Sequence, residues 1–254
     1  MTFASRAIFR ADGLRGFTRF ALRVVPLALV MGLLSFGAPC VAQEVDTPAG
    51  PPGSGSVVAP SPWVGLIVPV QHRIDLKLYG FYIGNLEVPS AQVDASVRAT
   101  RFLTITPSYL YYSVPASGLD ELANLPGAFT DSYEEHQFRI DGTVTFSIRK
   151  VEITARNMYV RRFRPSPADD SNRYRGRVGI AYPVAVAGRF WKPFALYEAY
   201  HDWDGGGWNK DRIWTGVTVS VVKRVVFQPS YLWERTDGIK TIHYVLFGVI
   251  VSTR

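Results

Sequence analysis

The sequence predicts an all-β protein, an antiparallel up-and-down transmembrane β-barrel of about ten strands. Three observations carry this. From Glu135 the chain alternates residue by residue: Glu135, Gln137, Arg139, Asp141, Thr143, Thr145, Ser147 and Arg149 stand against His136, Phe138, Ile140, Gly142, Val144, Phe146 and Ile148. Side chains on a strand point to opposite faces in turn, so such a segment has one charged face and one apolar face, and no helical spacing of three and four is sustained. The joins between such segments alternate between tight and long, and aromatic residues gather near the segment ends.

The elements follow in chain order. Arg6, Arg10, Arg15, Arg19 and Arg23 precede an apolar run from Val24 to Phe36, and Cys40-Val41-Ala42 puts small residues where a signal peptidase reads them. Residues 1–42 therefore read as a secretory signal peptide. The apolar run is shorter than the roughly 20 residues of a membrane anchor. Pro39 before Cys40 speaks against a lipoprotein signal, and the basic region has no twin arginine. Cleavage takes the only cysteine, so the mature chain has no disulfide and no cysteine-bound metal. It also takes five Arg against Asp12, lowering the net charge from +7 to +3. The basic character belongs largely to the removed segment, and a nucleic-acid partner loses its main support.

Residues 43–70 read as a flexible periplasmic N-terminal segment. Gln43 to Pro62 is rich in Pro, Gly and Ser and buries too little apolar surface to offset ordering, while Trp63–Val70 is a short strand or a plug-like lead-in. Residues 71–254 hold the barrel. Ten strand candidates follow: Gln71–Ile83, Ser90–Ala99, Arg101–Ser113, Tyr133–Arg149, Val151–Phe163, Arg173–Tyr182, Pro193–Trp203, Asp211–Val221, Val225–Arg235 and Ile239–Val251. Nearly all reach the roughly 9–11 residues a tilted strand needs to cross the hydrocarbon.

Tight turns at Thr100, Arg149-Lys150 and Val222-Lys223-Arg224 alternate with longer polar joins at Gly84–Pro89, Val114–Ser132, Arg164–Asn172 and Asp204–Lys210. That is the pattern of short periplasmic turns and long outer loops, and with an even strand count it places both termini in the periplasm. Pro183–Lys192 is long for the turn side. Asp237-Gly238 reads as a hairpin turn with positive φ at both residues. Trp203, Trp208, Trp214, Trp233, Tyr111 and Tyr112 would form an aromatic girdle on the loop side. Phe190, Trp191 and Phe194 would form the other, unless these rings fill a core.

The charged face is the candidate functional surface. Arg139, Arg156, Arg175, Arg177 and Arg212 face Glu135, Asp141, Glu152, Glu198 and Glu234 across neighbouring strands. Charges in a narrow lumen must be paired, since an uncompensated one costs several kcal/mol, on the order of a few. Such a ladder either fills a structural barrel or lines a narrow, anion-attracting pore. The run Arg161-Arg162-Phe163-Arg164 is either a solvated rim or a contact for lipopolysaccharide phosphates.

The competing class is an outer-membrane hydrolase acting on lipid or peptide from a rim-sited histidine. His201 and His136 are its candidate catalytic residues, although Asp202 points to the opposite face from its neighbour His201 and cannot orient it. A soluble lipid carrier with its apolar face inward is a third possibility. Gly205-Gly206-Gly207 lacks the strand-to-helix context of a phosphate cradle. No metal site and no cofactor is expected.

The step Glu135-x-x-Phe138-Arg139, then Ala155-Arg156-Asn157 leading into Tyr174-Arg175-Gly176-Arg177, resembles a family of Gram-negative outer-membrane barrels known as a conserved domain of unknown function. Tyr197-Glu198-Ala199-Tyr200, Lys210-Asp211-Arg212, Gly216 and Pro229-Ser230-Tyr231-Leu232 continue the resemblance. It implies a barrel at the cell outer membrane, with outer-membrane lipid, lipopolysaccharide and the barrel-assembly machinery as partners. It implies no activity, no catalytic residues and no oligomeric state. Many such barrels end on an aromatic residue, whereas this chain ends Val251-Ser252-Thr253-Arg254, with Tyr244 and Phe247 further in.

Overall fold

A computed structural model describes residues 55–123, 130–164, 170–204 and 207–253. The expected signal peptide, and the N-terminal segment as far as Ser54, lie outside the described residues, as do Gly205 and Gly206.

The described chain is one antiparallel run of strands closed on itself. In order these are β1 (Ser56–Gln71), β2 (Ile74–Ile83), β3 (Val88–Arg98), β4 (Leu103–Val114), β5 (Tyr133–Ile148), β6 (Val151–Phe163), β7 (Ser171–Ala181), β8 (Val184–Val186), β9 (Arg189–Asp202), β10 (Gly207–Val222), β11 (Val225–Thr236) and β12 (Thr241–Ser252). A 3₁₀ turn at Gly84–Leu86 joins β2 to β3, and helix α1 (Ala116–Ala123) follows β4. Eleven strands make the closed ring, and β8 is an extra strand paired only with β9.

All ten strands expected from the alternation are present, but the count of ten is short by β1 and β8. Strand β1 runs through Ser56–Val70, where the sequence reads as a flexible tail and an ambiguous apolar stretch. Its prolines explain both the misreading and the geometry. The carbonyls of Gly55 and Ile67 accept from Thr241 of β12 and from Thr253 just beyond it, so odd-numbered residues hydrogen-bond on that side. Pro60 and Pro62 are even-numbered and turn their missing N–H toward β2, whose pairing with β1 begins only at Trp63. The gap is covered by the 3₁₀ turn, where Asn85 Nδ2 donates to the Val58 carbonyl at 2.6 Å.

An odd ring cannot be antiparallel throughout. Strands β1 and β12 pair in parallel, Ser56 with Thr241 through Ile67 with Ser252. One rim carries the tight turns and the end of β12, and we call it the turn rim. The other, the loop rim, carries the longer connections and the start of β1. The expectation of both termini in the periplasm rested on an even strand count; the parallel seam puts the start of β1 at the loop rim and the end of β12 at the turn rim. The long Pro183–Lys192 join resolves into the β8–β9 hairpin, turned at Ala187 and Gly188, both with positive φ. At the β11–β12 connection only Gly238 has positive φ, 78°, so the turn is not one with two left-handed residues.

The faces sort by polarity. Phe138 (57 % exposed), Ile140, Ile148, Val178, Ile180, Tyr197 and Ile213 point outward, while Glu135 (0 %), Asp141, Arg175, Glu198 and Glu234 are buried inside. The inner wall itself has two sectors. On β12, β1 and β2 it is apolar: Val57, Ala59, Trp63, Ile242, Tyr244 and Leu246 form a cluster with Leu86, Val88 and Val114, with Leu119 and Leu122 of α1 packed on it. Trp63 lies against Phe81 with ring centroids 5.9 Å apart. The close approach needs Gly248, where a Cβ would stand 2.0 Å from the Trp63 ring. Helix α1 is held over this sector by Lys240, whose Nζ is 2.9 Å from Glu121 and whose N–H donates to the Leu122 carbonyl.

Candidate functional site

The other sector of the inner wall, from β5 through β11, carries the charges. Cross-strand partners share a face, and the registers carry one inward parity around the ring: odd on β5 and β7, even on β6, β9, β10 and β11. All ten ladder residues expected from the sequence, Glu135, Arg139, Asp141, Glu152, Arg156, Arg175, Arg177, Glu198, Arg212 and Glu234, lie on this inward parity.

Three carboxylates organise the upper half. Glu135 accepts from Arg162 Nε at 2.8 Å and Nη2 at 2.6 Å, and also from the Tyr133 hydroxyl and Gln137 Nε2. Glu198 accepts from Arg175 Nη2 at 2.9 Å, from the Tyr200 hydroxyl at 2.7 Å and from Arg156 Nη2. Glu234 pairs with Lys210 Nζ at 2.9 Å and with Arg212 Nε. Asp202 adds a fourth centre, accepting from Arg173 Nη2 at 2.6 Å and Asn209 Nδ2 at 2.8 Å. Tyr200, 2 % exposed, lies among these cations, with Arg175 4.6 Å and Arg212 5.1 Å from its ring centroid. Each of these four carboxylates thus has cationic partners, the condition under which charges persist out of bulk water.

The pairing differs in detail from the expected ladder. Glu135 is matched by Arg162 and not by a ladder arginine. Glu152 pairs with Lys192 at 2.6 Å. Asp141 accepts from Thr143 Oγ1 at 2.9 Å. Arg139 donates to Gln137 Oε1 at 2.7 Å and Gln92 Oε1 at 3.2 Å. Arg162, expected at the mouth facing lipopolysaccharide or solvent, turns inward, while Arg161 and Phe163 beside it face out. Arg162, Lys192, Asp202 and Lys210 are lumen residues that the sequence reading left out of the ladder, although Arg162 and Asp202 lie within the expected strands and Lys192 and Lys210 one step before them.

The histidines are not in the lumen. His201 pairs across with Tyr174 and Trp208 on the outer face, its ring 5.0 Å from that of Trp208. His136 is also on the outer face, its Nδ1 2.6 Å from the Tyr109 hydroxyl, and His243 stands in the same relation to Tyr231. The two candidate catalytic residues therefore sit apart, each among aromatic rings. Tyr111, Trp203, Trp208 and Trp233 share that outward band near the loop rim. Tyr112, Trp214 and Phe194, expected in the girdles, point inward: Tyr112 meets Tyr133, and Trp214 meets Phe194 at 5.8 Å. Among the described residues no cluster of His, Cys, Asp and Glu is arranged to hold a metal ion.

None of the curated proteins compared with this chain matches it. Among the solved structures similar to it in fold are two outer-membrane proteins. LpxR from Salmonella typhimurium is 9 % identical over 70 % of this chain and 83 % of that chain, with a TM-score of 0.46. The beta domain of the Bordetella autotransporter BrkA is 17 % identical over 67 % of this chain and 78 % of that one, with a TM-score of 0.43. Residues 65–244, which run from β1 to β12, match the family model described as a protein of unknown function, DUF2490, and the chain belongs to that family.

Proposed function

We propose that this chain is an outer-membrane barrel whose lumen is stoppered near the loop rim, a structural barrel in the bilayer and not a through-going pore. The observation that carries the reading is the sorting of faces in a closed ring. A barrel surrounded by lipid has no backbone edge, puts apolar side chains outward and keeps its charges inside. The outward aromatic band of Tyr111, Trp203, Trp208 and Trp233 suits the headgroup level.

The stopper is the upper half of the lumen. Glu135, Val160, Tyr200, Ala59 and Ile242 are all at most 3 % exposed, so they are packed against their neighbours and not lining an open channel. A barrel of eleven strands is close in size to the small kind that side chains can fill. By the usual arrangement of short turns and long loops, the turn rim and the end of β12 face the periplasm. The segment 1–42 serves export, the barrel-assembly machinery inserts the chain, and Arg161 and Arg235 stand outward near the loop rim beside the outer leaflet's lipopolysaccharide.

The test is fractionation and electrical recording. The full chain should be extracted from the outer membrane only with detergent, should run as a heat-modifiable band, and should give no conductance steps in a planar bilayer. Recovery in the soluble periplasmic fraction would remove the membrane reading. Steady channels from the native protein would remove the stopper.

A further inference from the structure

The lumen is packed above and less tightly packed below, where the guanidinium groups of Arg139 and Arg177 make no ion pair. Below the level of Glu135 and Tyr200, the inward residues Arg139, Thr143, Thr154, Arg156 and Arg177 are half-buried, while Asp141 beside them on β5 and Asp94 on β3 are buried and form no ion pair with the three arginines. The interior there is a cup opening toward the turn rim. Three guanidinium groups share its floor. Arg156 and Arg177 are direct cross-strand partners on β6 and β7, a like-charge pairing that is unfavourable when nothing stands between the two. Arg156 leans on Glu198, but that carboxylate is already shared with Arg175 and Tyr200. Among the described residues Arg139 has only glutamine acceptors, and Arg177, although Glu198 is its cross-strand partner on β9, makes no ion pair. The Nε–H of Arg156 has no acceptor.

We propose that this cup binds a small tetrahedral oxyanion, phosphate or the terminal phosphate of a monoester, on Arg139, Arg156 and Arg177. Guanidinium is suited to this class: its planar fork of N–H donors matches two oxygens of one phosphate, and several forks converging on one dianion satisfy donors that single-charge partners leave over. The ligand reaches the floor from the turn rim, because the packed layer above closes the other way in. The inference rests on the stoppered upper lumen of the proposed function but not on the surrounding bilayer. Loss of phosphate binding would leave the heat-modifiable band untouched.

The experiment is calorimetric titration of the full chain, purified in a zwitterionic detergent, at constant ionic strength set with chloride. Inorganic phosphate should bind saturably. Arg177→Gln and Arg139→Gln should each weaken that affinity by about tenfold or more, as loss of a charged hydrogen-bond donor implies. Arg177→Lys should recover part of it, and Arg98→Gln, exposed at the turn rim, should leave it unchanged. Binding of inorganic phosphate, of glycerol 3-phosphate or of both supports the site and says which source fits the cup. Binding of neither beyond the chloride baseline overturns it, whatever the variants do. Saturable binding that Arg177→Gln and Arg139→Gln leave intact, in protein that still runs as a folded band, overturns it as well.

Discussion

Glu135 and Arg162 form a two-pronged ion pair between β5 and β6, with both carboxylate oxygens engaged by one guanidinium at 2.8 and 2.6 Å. Glu135 is completely buried, and Tyr133 and Gln137 donate to it as well. Removing one partner leaves the other charge stranded. Glu135→Ala or Arg162→Ala should each destabilise the barrel by about 3–5 kcal/mol, and the double change by much less than the sum. Urea unfolding in detergent, followed by tryptophan fluorescence, measures both quantities.

The outer face makes a depth-dependent prediction. Ile140 is at the middle of β5 and Ile148 at its turn-rim end, both pointing outward. Arginine at position 140 should cost about 2–4 kcal/mol and at position 148 about 0–1 kcal/mol, since a charge is costly only where it meets hydrocarbon. Unfolding titrations in lipid vesicles separate the two. Equal costs would mean that this face does not meet a bilayer.

Trp63 lies over Gly248 because glycine leaves it room. Gly248→Ala places a methyl group 2.0 Å from the ring, so β12 or the indole must shift. The expected loss is about 1–3 kcal/mol. Trp63→Leu in the same chain should return part of it, and that non-additivity is the signature of contact. The fraction refolding to the heat-modifiable form reports the effect.

His136 and His201 stand in the outward aromatic band, paired with Tyr109 and Trp208. His136→Ala and His201→Ala should each change stability by less than about 1 kcal/mol, as for exposed hydrogen bonds and ring contacts. Neither should alter any esterase or peptidase activity found for the purified protein. Loss of such an activity on either change would return the histidines to a catalytic role.

Ten of the strands were legible because their two faces differ in chemistry. From Glu135 to Arg177 the lumen side is charged and the outer side apolar, so the period of two is plain in the residues. Strand β1 was not legible because both of its faces are small or apolar: Val57, Ala59 and Trp63 point in, and Val58, Pro60 and Val64 point out. With no polarity contrast the period disappears, and two prolines argue against a strand until the hydrogen-bonding side is known. The inward direction of Glu135 and Arg175 was legible for the same reason as their strands. Their partners were not, because alternation gives the face of a residue but not the register between neighbouring strands. Arg162 and Asp202 are close to strand ends, where the pattern thins into loops, and Trp214 and Tyr112 look like belt residues until the parity of their strands is counted.

The seam between β1 and β12 joins the first and last strands of the ring, whereas all its other neighbours are close together along the chain. Adding strands hairpin by hairpin yields an open, curled sheet with two bare margins, and the circle is completed only when the first-made and last-made margins meet. That meeting bears the largest loss of chain freedom in the whole structure, so completion of the circle is the expected slow event in maturation. An agent that caps the free margin of β12 before β1 arrives would trap the chain as an unclosed sheet.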